Sequence, residues 1–200
     1  KWAPAMGGEV AHYTLRYKGG AIYSTRLEKR IIKTTENNTP ATYKAVPAAV
    51  TDFDFDKDGN IWAGSKGLGI MRIDNNTNVK TFAFTGIVKS VRIFEEKTLD
   101  LYLYVAATQE INGVVSEVIS RAKIYSLDSL GSFEVFFNMS EKFGSDNPSL
   151  SVNAITFAAD GDLVVGTNMK DPVIIVHTDK SYETLYPGLI SSDVLSFAWG

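Results

Sequence analysis

The chain has 200 residues, 44% of them hydrophobic, a formal charge of −3 and no cysteine. That apolar fraction suffices for a sizeable core, and the mild acidity leaves no electrostatic footprint for nucleic acid or an anionic membrane. The missing thiols exclude disulfides, thiolate metal sites and a cysteine nucleophile, and no run approaches the roughly 20 apolar residues of a transmembrane helix.

The first residues, Lys1-Trp2-Ala3-Pro4-Ala5-Met6, carry neither an initiator methionine nor a signal-peptide apolar core, so the start reads as that of a mature or trimmed chain. Strand patterns then follow in order. Tyr13–Tyr17 and Ala21–Thr25 flank Lys18-Gly19-Gly20, where the glycine pair supplies the positive φ of a tight hairpin. Asp52-Phe53-Asp54-Phe55 alternates polar and apolar residues, which predicts a strand with one buried face over Val50–Phe55. Ile61–Ser65, Ile70–Ile73 and Val79–Phe84 complete a second unit. A third, stretched unit holds Val91–Phe94, Leu101–Thr108, Ala122–Leu127 and Phe133–Phe137, with Glu110–Ser120 read as an inserted hairpin extension or loop. A single helical turn fits Met139–Phe143, and Ser140–Leu150 has the composition of a loop. The fourth unit holds Val152–Phe157, Leu163–Thr167, Val173–Val176 and Tyr182–Tyr186.

Two segments nearly restate one another: Asp58-Gly59-Asn60-Ile61-Trp62-Ala63-Gly64-Ser65 and Asp160-Gly161-Asp162-Leu163-Val164-Val165-Gly166-Thr167. Each is a turn, a short apolar strand, then a small residue and a hydroxyl. Aligning Ile22, Ile61, Tyr104 and Leu163 gives spacings of 39, 43 and 59 residues. The first two match the roughly 40–50 residues of a propeller blade, and the third contains the insertion. The fold class is therefore all-β: β-propeller blades, each a four-stranded antiparallel sheet, at about 10–46, 49–87, 88–140 and 150–187. Residues 193–200 resemble the first strand of a further blade, which makes the region part of a larger propeller. Within a blade, Ile61 and Trp62 should face opposite sides, and Gly64 should permit a close approach of neighbouring backbones.

The sequence Asp56 to Ser65, followed by Gly67-Leu68-Gly69-Ile70 and Arg72-Ile73-Asp74, resembles the two-component-regulator-type propeller repeat of Bacteroidetes exported and sensor proteins. The match is good over residues 50–84 and partial over 152–186, where Asp171-Pro172 replaces the glycine-rich connection. The resemblance implies a seven-bladed or similarly sized propeller, often joined to other modules, and no catalytic residues. The layout is also similar to the propeller protein of the type IX secretion system.

Asp54, Asp56 and Asp58 with Gly59 match the opening of an EF-hand calcium loop. The closing glutamate of such a loop would fall at position 65, which is Ser65, and the flanks read as strands. These three acids are the calcium candidates, with a hairpin turn bearing exposed acids as the favoured reading. His12 and His177 are the only histidines and have no recognised ligand spacing around them. No nucleophile elbow, phosphate loop or dinucleotide fingerprint is present, and Gly67-Leu68-Gly69 is too short for the last. Trp2, Trp62 and Trp199, with nine Tyr and eleven Phe, are mostly expected between blades. Arg16, Arg26, Lys66 and Arg72 read by default as solvated surface. Sequons at Asn37, Asn75 and Asn138 matter only in a eukaryotic secretory setting.

These features predict a non-enzymatic binding or scaffold module, exported to the periplasm, outer membrane or beyond, that engages protein or glycan through a propeller face. It needs no cofactor. The alternatives are a propeller enzyme of the metal-assisted lactonase, lyase or hydrolase kind, and the extracellular sensor domain of a two-component receptor.

Overall fold

A computed structural model describes residues 14–26, 28–36, 40–188 and 193–197. Four antiparallel sheets follow one another as the blades of a β-propeller. The first holds β1 (Thr14–Lys18), β2 (Ala21–Thr25), β3 (Arg30–Thr35) and β4 (Ala41–Ala45). The second holds β5 (Val50–Phe55), β6 (Ile61–Ser65), β7 (Gly69–Ile73) and β8 (Val79–Phe82). In the third, β9 (Ile87–Glu95), β10 (Leu101–Ile111) and β11 (Val114–Ser126) are followed by β12 (Ser129–Leu130), β13 (Glu134–Asn138) and the one-turn helix α1 (Met139–Phe143). The fourth holds β14 (Val152–Phe157), β15 (Leu163–Thr167), β16 (Val173–Val176) and β17 (Tyr182–Thr184). The first strand of each sheet is innermost, and contacts between these strands run from β1 to β5, β5 to β9 and β9 to β14. No helix among the described residues is long and apolar enough to cross a membrane.

The expected inserted extension at 110–120 is the end of the β10–β11 hairpin, which turns at Asn112-Gly113, both with positive φ. Strand β11 therefore begins at Val114, eight residues ahead of the expected third strand, and both β12 and β13 pair with it. Of residues 193–200, expected to open a further blade, the described residues 193–197 form no strand and pack on the fourth blade. Gly64 is covered by Val88 and Val91 at the start of the next blade, and a Cβ there would overlap the Val88 side chain. Gly166 is covered in the same way by Val194 and Phe197, and the Val194 N–H donates to the Thr167 carbonyl at 3.1 Å. Gly64 and Gly166 thus admit neighbouring side chains, where a close approach of backbones had been expected at Gly64.

Three apolar layers seal the blades to one another. Ala21, Tyr23 and Ile31 meet Phe53, Ile61 and Ala63. Trp62 and Ile70 meet Val88, Val91 and Leu103. Tyr104, Ile119 and Phe137 meet Val152, Ile155 and Leu163. Ile61 and Trp62 lie on opposite faces, as the strand period requires. Ile22, Ile61 and Leu163 occupy equivalent positions, as the alignment predicts, but the third-blade equivalent is Leu103. Pairing fixes this: Gly64 opposes Asp52, Ala106 opposes Ser90 and Gly166 opposes Ala154, each beside a bulge. Tyr104 is therefore the counterpart of Trp62, one residue on. The Val50–Phe55 strand also departs from a one-faced pattern, since Phe53 and Asp52 are both buried. An innermost strand packs on a neighbour from each side, so alternation here separates apolar from polar interior.

Trp62 is fully buried and stacks on Phe82 with ring centroids 5.6 Å apart. Trp62→Ala is expected to cost about 3–5 kcal/mol in denaturant melts. A loss below about 1 kcal/mol would mean that this layer does not hold the second and third blades together.

Candidate functional site

The repeat motif first builds a turn. The Asp56 carboxylate accepts from the Asp58 and Asn60 N–H groups (3.1 and 2.8 Å), the Asn60 amide (2.9 Å) and the buried Trp62 indole N–H (3.2 Å). A buried indole needs an acceptor, and Asp56 supplies it. In the fourth blade Ala158 stands for Asp56 and Val164 for Trp62, so donor and acceptor are lost together. In the third blade the Tyr104 hydroxyl takes the equivalent place and donates to Glu96 of the same turn at 2.9 Å. Among the calcium candidates, Asp54 accepts instead from the Ile93 and Phe55 N–H groups (3.0 and 2.9 Å), and Asp58 is exposed. Among the described residues no three His, Asp or Glu side chains converge as ligands for one ion.

One repeat position forms the axial cluster. Arg16, Asp54, Arg92 and Thr156 are equivalent on β1, β5, β9 and β14, and all line a central cavity of about 560 Å³ walled by Ile93 and Phe157. One layer below, Thr14, Asp52, Ser90 and Ala154 are equivalent. Asp52 is 4% exposed and is the hub. Its Oδ1 accepts from Arg16 (2.9 Å), Thr14 (3.0 Å) and the Phe53 N–H (2.8 Å). Its Oδ2 accepts from Ser90 (2.7 Å), the Val91 N–H (2.9 Å) and Arg92 (3.0 Å). The Ser90 hydroxyl in turn accepts from the Ile155 N–H at 3.3 Å, which extends the network to the fourth blade.

The electrostatics separate the two acids. Burial alone would raise the Asp52 pKa, but Arg92, Arg16, the Val91 amide and the Ser90 hydroxyl overcome it and hold the carboxyl below its ordinary value. Asp54 lies on the other side of that balance. Burial raises its pKa beyond what Arg92, the Ile93 amide and Arg16 recover, and the nearest Arg16 contact is 4.0 Å. Burial likewise lowers the Arg16 pKa against the pull of Asp52.

A second cavity, of about 370 Å³, opens between the third and fourth blades. Phe94 and Phe157 stack at 4.1 Å, and Tyr104 meets Phe157 and Phe136 edge-on at 4.8 and 5.3 Å. Arg121 covers the rings of Tyr102 and Phe136 and binds Glu96 at 2.6 Å and Glu134 at 2.7 Å. Lys97 and Asp160, on the β9–β10 and β14–β15 turns, both line it and are exposed. Nearby, His177 Nδ1 lies 2.6 Å from Asp162, and that hydrogen bond raises the imidazole pKa.

Sequence reasoning missed Asp52, Arg92, Glu96 and Arg121, and it placed Arg16 and Arg72 in solvent. Arg72 is 5% exposed and is held by Asp74 at 3.1 Å and by Asp128 of the next blade at 2.8 Å. The available signal was the aligned innermost strand, where each unit places a polar residue at the position of Arg16, Asp54, Arg92 and Thr156. His12, Trp2, Trp199 and Asn37 lie outside the described residues.

No family model and no curated protein sequence matches the chain. Solved structures are similar in fold. Virginiamycin B lyase from Staphylococcus aureus aligns at a TM-score of 0.60 and 14% identity, over 92% of this chain and 58% of that one. The extracellular domain of a protein described as a one-component system from B. thetaiotaomicron aligns at 0.59 and 13%, over 97% and 26%. A gluconolactonase from Xanthomonas campestris aligns at 0.64 and 13%, over 86% and 60%. The chain thus spans between about a quarter and three fifths of the length of these proteins. At such identities the likeness establishes the propeller fold, which sensor domains and enzymes share.

Two outcomes test the electrostatics. Asp52→Asn is expected to cost about 3–5 kcal/mol, because it leaves buried guanidinium groups short of their counter-charge. Asp54→Asn should cost under about 1 kcal/mol at neutral pH, since its carboxyl is disfavoured as the anion. Because the folded pKa of Asp52 is depressed, its contribution is complete above the unfolded value of about 3.9 and is lost as pH falls through the folded value. Denaturant melts of both variants from pH 7 to 3 check this; equal costs at pH 7 would contradict it. In an NMR titration, His177 should titrate above about 6.5, and Asp162→Asn should return it towards that value. An unchanged midpoint in the variant would contradict the pairing.

Proposed function

We propose that the chain is a non-enzymatic binding module that engages protein or glycan through the face bearing the β5–β6, β9–β10 and β14–β15 turns. The observation that carries this reading is the saturation of Asp52. A carboxylate offers about four lone-pair sites, and Asp52 meets six donors, two of them guanidinium groups. Its oxygens are committed to structure, which leaves none to ligate a metal or take a proton from a substrate. Asp54, the other carboxylate of the axial cluster, accepts two backbone N–H groups, and among the described residues no histidine or second free acid is bonded to it. That set suits recognition of polar groups more than acid–base or metal-assisted turnover.

The likeness to an extracellular domain from B. thetaiotaomicron supports an exported location, and the Asp56–Ser65 motif supports membership of the two-component-regulator-type repeat family. The second reading is enzymatic, favoured by the fold shared with a lyase and a gluconolactonase. A hydrolysis assay separates the two. Glucono-δ-lactone with magnesium, calcium, manganese or zinc should react at the uncatalysed rate, while soluble oligosaccharides or protein ligands bind saturably without being consumed. Metal-dependent acceleration that Asp54→Asn abolishes would establish the enzymatic reading instead.

A further inference from the structure

The cavity between the third and fourth blades differs from the axial one in what it leaves unused. Its interior is aromatic: Phe94, Tyr104, Phe136 and Phe157 form one contiguous ring cluster. Its inner charges are spent on each other, since Arg121 is bound by Glu96 and Glu134 and receives no further charge from the cavity. Its lining includes one exposed cation, Lys97, and one exposed anion, Asp160, and a second cation, Lys180, stands 5.7 Å from the Phe136 ring centroid. Among the described residues Lys97 forms no ion pair, and Asp160 accepts only the N–H of Asp162, at 3.1 Å through Oδ1. Gly161 brings the Asp160 turn against Phe94, where a Cβ would lie 3.2 Å from the ring and the backbone φ is +98°. That turn is thereby fixed over the aromatic floor.

We infer that this cleft binds a small aromatic zwitterion of amino-acid size, its ring entering among Phe94, Phe136 and Phe157, its carboxylate meeting Lys97 and its ammonium meeting Asp160. Size and charge select this class. About 370 Å³ lies near the bottom of the range for ligand cavities, which admits one ring with its polar substituents and excludes an extended chain. The floor rings stack on and abut one another, so an entering ring makes edge contacts, whereas a sugar needs an open flat face. Lys97 and Asp160 carry opposite charges, so a purely anionic or purely cationic ligand is attracted by one and repelled by the other. A zwitterion gains from both.

The inference rests on the turn face being a binding face and names the ligand class of one site on it. The test is titration of L-phenylalanine and L-tryptophan into the whole chain, followed by NMR and calorimetry, with N-acetyl-L-tryptophanamide as the uncharged aromatic. The free amino acids should bind saturably and shift the Phe94, Phe136 and Phe157 resonances. The blocked amide should bind several-fold more weakly. Lys97→Ala and Asp160→Asn, both at exposed positions, should each weaken the free amino acids by about three- to tenfold at an unchanged melting temperature. No saturable binding at millimolar ligand, or equal binding of the blocked amide and of both variants, would overturn the assignment. If either result came while oligosaccharide or protein binding persisted, only this ligand class would fall and the binding module would stand.

Discussion

A single buried carboxylate joins the four innermost strands. Asp52 draws two donors from β1 side chains, one from its own strand and three from β9, and the Ser90 hydroxyl that serves it also receives the Ile155 amide of β14. A propeller is otherwise sealed by stacked apolar layers that join only adjacent blades. The axial network runs through β1, β5, β9 and β14 and so reaches beyond nearest neighbours. A buried charge of this kind is costly unless fully paired, and pairing from several strands demands that those strands be in place together. Asp52 thereby ties the blades' registers to one another.

The same economy explains the repeat motif. Asp56 closes a turn while satisfying the indole of Trp62, and the indole fills the space towards the third blade. When Trp62 is replaced by Val164 in the fourth blade, no indole needs an acceptor and Ala158 suffices. When it is replaced by Tyr104, the acceptor shifts to Glu96. On a second inter-blade seam Glu117 plays a related part, accepting from Lys89 at 2.7 Å and from the Val152 N–H at 2.9 Å. Asp54 and Asp56, two of the three acids that look like calcium ligands in the sequence, serve as acceptors for backbone N–H groups in the fold.

Much of the architecture was legible because strand period and turn chemistry are local. Val50–Phe55, Ile61–Ser65 and Val173–Val176 coincide with β5, β6 and β16, and the helical turn falls on Met139–Phe143. The third blade was harder, since its β9–β10 hairpin runs two residue pairs further before turning than β5–β6 does, and nothing local marks the difference; hence Tyr104 was aligned where Leu103 belongs. The site was less legible still. Asp52 and Arg92 are forty residues apart, and nothing near either says that they meet. The alternation at Asp52-Phe53-Asp54-Phe55 was read as half-solvated because period two cannot distinguish water from a polar interior. Arg16 and Arg72 look like surface residues until a partner from another blade is placed beside them.

If Asp52 makes the four blades one cooperative unit, native-state hydrogen exchange reads it directly. The amides of Phe53, Val91 and Ile155, on three different blades, should exchange with one common free energy equal to that of global unfolding. Exchange of Ile155 by a separate, cheaper opening, while Phe53 and Val91 remain protected, would contradict the account: the fourth blade would then be held by its apolar seam alone.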